Sequence, residues 1–234
     1  MEMVFDLKGK VARKVAKFQE MKKQRGVTLL EIIIVLGIIG IIAAGVVILA
    51  QRAFNAQDMT DVQDNLTSIR TAMVDAYKDD PGYPASVSPL TLSKSNIGRD
   101  SQSSNASAIN TLVRLGKISP EEAFNSFSND AFQIDPAMTD ANATVAKGFV
   151  ILVNGMDGDQ CRGLLSQMGN QWDYVETVKA TGGSFITTDV KMDTAATGKI
   201  LKSLVSEEIT ATKISASGVC AETGASNGIL FGSK

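Results

Sequence analysis

Glu31 is the only ionisable side chain between Val27 and Gln51, and it stands just ahead of Ile32–Ala50, nineteen residues without a charge. A carboxylate in that setting either snorkels to a membrane edge or meets a cation in apolar surroundings, because an unpaired ion there carries a large desolvation cost. The other groups with chemical potential are Cys161 and Cys220 and the acid pairs Asp79/Asp80, Asp157/Asp159 and Glu207/Glu208. Histidine is absent from all 234 residues, which removes the commonest general base and a very common metal ligand. Serine and cysteine triads are therefore excluded.

The two cysteines lack CxxC spacing, so zinc binding and thiol catalysis are poor readings, and a disulfide formed in an oxidising compartment is simpler than two buried free thiols. Helix ends and turns account for the acid pairs without metal or acid/base chemistry. Asp157-Gly158-Asp159 resembles a fragment of a calcium loop but lacks the other alternating ligands and the terminal Glu, so N-capping is the better reading. Trp172 and Tyr174 offer rings for stacking on a sugar or base, although an aromatic residue in a strand of a small domain more often fills a core. No enzyme activity, cofactor or metal is expected.

The elements around Glu31 point to a membrane. Thirteen of the residues in Ile32–Ala50 are Ile, Val or Leu; at about −0.3 to −0.6 kcal/mol each, they favour insertion by roughly 4 to 8 kcal/mol. As a helix the stretch is about 28 Å long, close to the ~30 Å hydrocarbon thickness. It is too long for a secretory signal, and no A-x-A site follows it. Residues 1–26 carry eight basic and three acidic side chains, whereas the remainder carries 15 basic and 22 acidic. Val4, Leu7, Val11, Val15 and Phe18 fall along one helical face of that basic start. It suits an anionic cytoplasmic membrane surface or, more simply, a tail that sets orientation. The acidic body disfavours nucleic acid as a partner.

KKQRGVTLLEIIIVLGIIG, at residues 22–40, resembles the processing site of type IV prepilins: basic residues, Gly26, then an apolar segment whose fifth residue, Glu31, is acidic. The long leader and the non-Phe residue at position 27 resemble the type IVb class. AAGVVILAQRAFNAQDMT, LVRLGKISPEEA and GMDGDQCRGLLSQMG are similar to the pilins of toxin-coregulated and enteric colonisation pili. The resemblance implies cleavage between Gly26 and Val27 by a prepilin peptidase and N-methylation of Val27. Filament assembly would then be guided by the Glu31 carboxylate and the new amine of a neighbouring subunit. It also leaves two readings of Gly37, Gly40 and Gly45, a helix-dimerisation face or a place where the helix loosens on assembly.

Beyond the apolar run, Met59, Val62, Leu66, Ile69, Met73 and Ala76 recur every three or four residues between charged positions, which predicts an amphipathic helix. One helix from Val27 to about Lys78 follows, its first half protruding from the globular head, ended by Pro81-Gly82-Tyr83-Pro84. Ser93–Asn110 reads as surface loop and short helix. Ser119-Pro120-Glu121-Glu122 reads as the start of a short helix through Ala123 and Phe124. Strands are expected at Gly148–Val153, Trp172–Val178, Ser184–Val190 and Ile229–Phe231, and helices at Asp159–Met168 and Lys199–Glu208. The predicted fold class is α+β, a long N-terminal helix with a membrane-spanning first half and an amphipathic second half laid on a mainly antiparallel sheet with short helices.

The predicted organisation is a removable leader (1–26), a transmembrane and assembly segment (27–50) and a pilin head (51–234). The function expected is that of a major subunit, held in the bacterial inner membrane and polymerised into an extracellular type IVb pilus for attachment, bundling or colonisation. Expected partners are further copies of the chain, the peptidase, the pilus assembly machinery and a host-cell surface. The alternatives are a minor pilin or a type II secretion pseudopilin.

Overall fold

The computed structural model describes residues 27–99, 106–187, 189–206 and 208–234. The leader with Gly26, Glu207 and residues 100–105 lie outside the described residues. Two compact units divide the chain, Met1–Ala53 and Phe54–Lys234.

Helix α1 spans Leu29–Tyr77, within two residues of the bounds read from the apolar and amphipathic patterns. In the first unit every described residue from Val27 to Leu49 is exposed, with Ile41 at 77% and Leu30 at 69%. The helix is unbroken at Gly37, Gly40 and Gly45. Nineteen uncharged residues leave no polar face to turn to water, so this stretch is long and apolar enough to cross a bilayer.

In the second unit the pattern reverses. Val62, Leu66, Ile69, Ala72 and Met73, spaced at three and four, are buried in one core with strand and helix residues. The sheet holds β1 (Gln133–Met138), β2 (Gly148–Met156), β3 (Tyr174–Lys179), β4 (Val190–Lys191), β5 (Ile200–Lys202) and β6 (Asn227–Ser233), in the order β4-β1-β2-β6-β3-β5. All pairs are antiparallel except β1 with β4. The short helices are α2 (Ala108–Arg114), α3 (Gly158–Met168) and α4 (Ala211–Ile214). The expected α+β class holds.

Both faces of the sheet are covered, and the two-residue period of a strand assigns them. Phe149, Ile151 and Val153 of β2 and Ile229 and Phe231 of β6 face the core shared with α1. Val150, Leu152 and Leu230 join Tyr174, Val190 and Met192 in a second core on the other side. Gly155 interrupts β2 at a register shift between Val153 and Met156. Its φ of +75° and the 2.9 Å from a built Cβ to the Ser128 side chain leave room for glycine alone.

Several expectations need correction. Ser119 and Glu122 do form a capping box, the Ser119 N–H donating to Glu122 Oε2 at 2.7 Å and the Glu122 N–H to Ser119 Oγ at 3.3 Å. No helix follows, because Phe124 is drawn into a bridge with Ala131. Among the described residues of Lys199–Glu208 none is helical. Ile200–Lys202 pairs with β3 and Leu201 is buried, while the chain turns at Leu204, whose N–H donates to the Met192 carbonyl at 2.8 Å. Among the described residues of Ser184–Val190 only Val190 enters a ladder. Ile186 bonds through its N–H to the side-chain oxygen of Gln133 at 3.1 Å and through its carbonyl to Gln133 Nε2. The described part of Ser93–Asn110 is not all surface, since Ile97, Ala108, Ile109 and Asn110 are buried and Asn110 Oδ1 accepts the Gly98 N–H at 2.7 Å.

Candidate assembly site and the bridged lobe

Of the chain before α1 the described residues are Val27 and Thr28, and Thr28 supplies the contacts that start the helix. The Thr28 hydroxyl accepts from the Glu31 N–H at 3.2 Å, and the Thr28 carbonyl accepts from the Ile32 N–H at 3.2 Å. Thr28 is thus the N-cap, Leu29 the first helical residue, and Glu31 the third, in the turn where the helix dipole favours an acid. Val27 lies outside the helix and is 62% exposed. The sequence reading singled out Val27 and Glu31 but not Thr28. Its signal was present as Thr-x-x-Glu ahead of an apolar run, the pattern of a capping box.

The cysteines meet. Cys161 and Cys220 form a disulfide with Cα atoms 5.8 Å apart, across 59 residues of sequence. Asp157 places the first of them by capping α3: its Oδ1 accepts from the Asp159 N–H at 2.9 Å and the Gln160 N–H at 2.8 Å, and Gln160 Oε1 accepts the Asp157 N–H at 3.0 Å. Asp159 holds Arg162 at 3.0 Å, and Arg162 Nη1 donates to the Cys220 carbonyl at 3.3 Å. Cys220 itself sits at φ +50°. Both aspartates serve the helix start rather than a cation, and among the described residues no cluster of acids or cysteines is arranged to hold a metal.

Of the remaining candidates, Asp80 and Glu208 make contacts through their main chain, and Trp172 and Tyr174 lie in the core. Asp80 closes the end of α1, its N–H donating to the Tyr77 carbonyl at 3.1 Å. The Glu208 carbonyl accepts from Lys213 Nζ at 3.1 Å. Trp172 is buried with its ring 5.4 Å from that of Phe231 and 5.0 Å below the Arg70 guanidinium. Tyr174 is buried and donates its hydroxyl proton to Glu176 Oε2 at 2.7 Å. Burial first and then that carboxylate raise the phenol above its usual range. Donation from Ser119 instead holds the Glu122 carboxyl below the ordinary carboxylate range, and Lys117 does the same for Asp75.

Residues 111–230 match the family of the toxin-coregulated pilus subunit TcpA. The chain belongs to that family. A second match, over residues 21–47, is to the prokaryotic N-terminal methylation motif. The pilin is 39% identical over 178 residues to a toxin coregulated pilin of Vibrio cholerae, covering 75% of this chain and 72% of that one. It is 38% identical over 171 residues to the toxin coregulated pilin of Vibrio cholerae serotype O1, covering 72% and 70%. The crystal structure of TcpA, a type IV pilin from the El Tor biotype of Vibrio cholerae, superposes with a TM-score of 0.54 at 25% identity, covering 76% of this chain and 99% of that one. The pilin is a homologue of toxin coregulated pilin, the major subunit of a type IVb pilus, and a structural protein rather than an enzyme. Membership implies polymerisation into a pilus and processing by a prepilin peptidase.

Proposed function

We propose that residues 1–26 are a leader cut between Gly26 and Val27, and that the new amine of Val27 is methylated. The subunit is then held in the inner membrane by residues 27–50, with residues 51–234 as the head, until the assembly machinery adds it to a pilus used for attachment, bundling or colonisation. Glycine before the cut lets extended backbone enter a protease site without a side-chain clash. In the filament the carboxylate of Glu31 faces the Val27 amine of a neighbouring copy. Apolar packing of the Ile, Val and Leu side chains supplies most of the cohesion, and the ion pair selects the axial stagger. The observation that supports this reading is the described part of the first unit, Val27–Ala53: an exposed apolar stretch of helix with a single acid, placed in its first turn.

The test is mass spectrometry and electron microscopy of material sheared from cells, with the membrane fraction run beside it. Filaments built from chains beginning at Val27 are expected. Gly26→Val should keep the leader attached and abolish filaments, whereas Glu31→Gln should leave cleavage and head folding intact and lose filaments. Surface filaments that retain residues 1–26, or normal filament yield in Glu31→Gln, would overturn the respective assignment.

A further inference from the structure

We infer that Asn142 is the acceptor of an N-linked glycan. It occupies Asp140-Ala141-Asn142-Ala143-Thr144 in the connection between β1 and β2. Asn-x-Ser/Thr is the minimal acceptor of N-linked glycosylation, and an acid two residues ahead of the asparagine completes the longer form used by bacterial oligosaccharyltransferases. Two other Asn-x-Ser/Thr triplets occur in the chain, Asn65-Leu66-Thr67 and Asn105-Ala106-Ser107, preceded at the same offset by Gln63 and Ser103. Asn142 alone has the acid.

The geometry separates the three as well. Asn65 lies within α1, donates its side-chain amide to the Phe124 carbonyl at 3.2 Å, and is followed by a fully buried Leu66. Asn105 lies outside the described residues, and Ser107 of its triplet is buried. Asn142 and Thr144 are both exposed, and the Asn142 carboxamide makes no hydrogen bond among the described residues. The backbone around it is pinned. The Ala143 N–H donates to the Asp140 carbonyl at 3.0 Å, the Asn142 N–H to Asp140 Oδ1 at 2.8 Å, and the Ala141 N–H to Asp193 Oδ2 at 2.7 Å. A turn of this kind presents the acceptor amide, the acid and the hydroxyl to a second protein without unfolding β1 or β2.

The co-reactant is a glycan linked through its anomeric carbon to a polyprenyl diphosphate, delivered by a periplasmic oligosaccharyltransferase. Nδ2 of Asn142 attacks that carbon, a C–N bond forms and the C–O bond to phosphate breaks. The polyprenyl diphosphate leaves with the electron pair, and the amide gives up one proton to an enzyme base. Nothing is oxidised or reduced. The placement of this turn on the periplasmic side before assembly rests on the proposed function.

The experiment is intact-mass and tryptic-peptide analysis of the pilin from its native host, taken from sheared filaments and from the membrane fraction. The peptide Ile118–Lys147 is expected to carry a sugar mass on Asn142. Asn142→Gln and Thr144→Val should abolish the mass, Asp140→Ala should lower its occupancy severalfold, and Asn65→Gln should leave it unchanged. An unmodified Asn142 in chains that begin at Val27 and build filaments overturns the inference and leaves the proposed function standing. A glycan on Asn142 of chains that never form filaments does the reverse. Disappearance of the sugar in Asn65→Gln, or its persistence in Asn142→Gln, places the acceptor elsewhere and also overturns the inference.

Discussion

The hydroxyl of Thr28 and the backbone N–H of Glu31 are joined by a hydrogen bond of 3.2 Å, so the second residue after the proposed cleavage point determines where α1 begins. Loss of an N-cap hydroxyl costs about 1 kcal/mol, close to a fivefold change in a local equilibrium. Thr28→Val should therefore speed amide exchange at Glu31 and Ile32, whose N–H groups donate to Thr28, by roughly fivefold, and Thr28→Ser should restore protection. Equal exchange in the three proteins, measured in detergent by mass spectrometry, would show that the cap does not hold the first turn.

The Cys161–Cys220 bridge closes a long loop, and the chain-entropy model assigns such a closure about 4 kcal/mol. Replacing both cysteines by serine should lower the melting temperature of the head by about 10 °C, given roughly 2–4 °C per kcal/mol for a domain of this size. Calorimetry of the double variant beside the oxidised wild type checks it. A difference below the error of the scan would place the stability of the lobe in its apolar core instead.

Tyr174 supplies a pH dependence with a definite sign. Its folded phenol titrates above the ordinary tyrosine value because of burial and the Glu176 carboxylate, so above pH ~10 the unfolded chain loses this proton first and the native state loses stability as pH rises. Below that pH the contribution is fully present. Tyr77 and Tyr83 act in the same direction through burial. Tyr174→Phe should therefore fall less in stability between pH 9 and 11 than wild type, a comparison that denaturant titration at each pH provides.

Arg70 fastens α1 to the end of the chain. Its guanidinium donates to Ser233 Oγ at 2.9 Å and to the Gln171 carbonyl at 2.7 Å, and lies over Trp172. The ion pair with Asp173, at 3.6 Å and about one-third exposed, adds little. Arg70→Ala should cost about 2 kcal/mol from the charged hydrogen bonds and the ring contact. Lys cannot reproduce the planar fork, so Arg70→Lys should recover less than half of that. Thermal melts of the three proteins decide it.

What the sequence made legible follows from periodicity and chemistry. The span of α1 was readable because its apolar run and its three-and-four stripe abut without a proline. The central strands β2 and β6 were readable through the unbroken apolar runs Phe149–Val153 and Ile229–Phe231 that they contain. The cysteine pair was readable by elimination, with no histidine and no metal spacing. β1 was missed because QIDPAM contains Asp135 and Pro136. The proline is tolerated because pairing with β4 begins only at Ala137, and Asp135 is held by Gln133 Nε2 at 2.6 Å and by the Ser86 hydroxyl. β5 was misread as helix because its three residues take their conformation from β3, not from local preference. The Thr28 cap was visible as a pattern, yet it lay beside a stronger membrane signal.

The sheet ends on β4 and β5, strands of two and three residues, each carrying a lysine. Open strand edges are templates onto which another copy can add its own backbone, and brevity together with charge suppresses that addition. For a protein that must meet its own kind at very high local density, this blunting separates productive growth from aggregation. The heads have little means to zip together through their sheets, so the membrane reserve of identical subunits proposed above would not seed amyloid-like stacks.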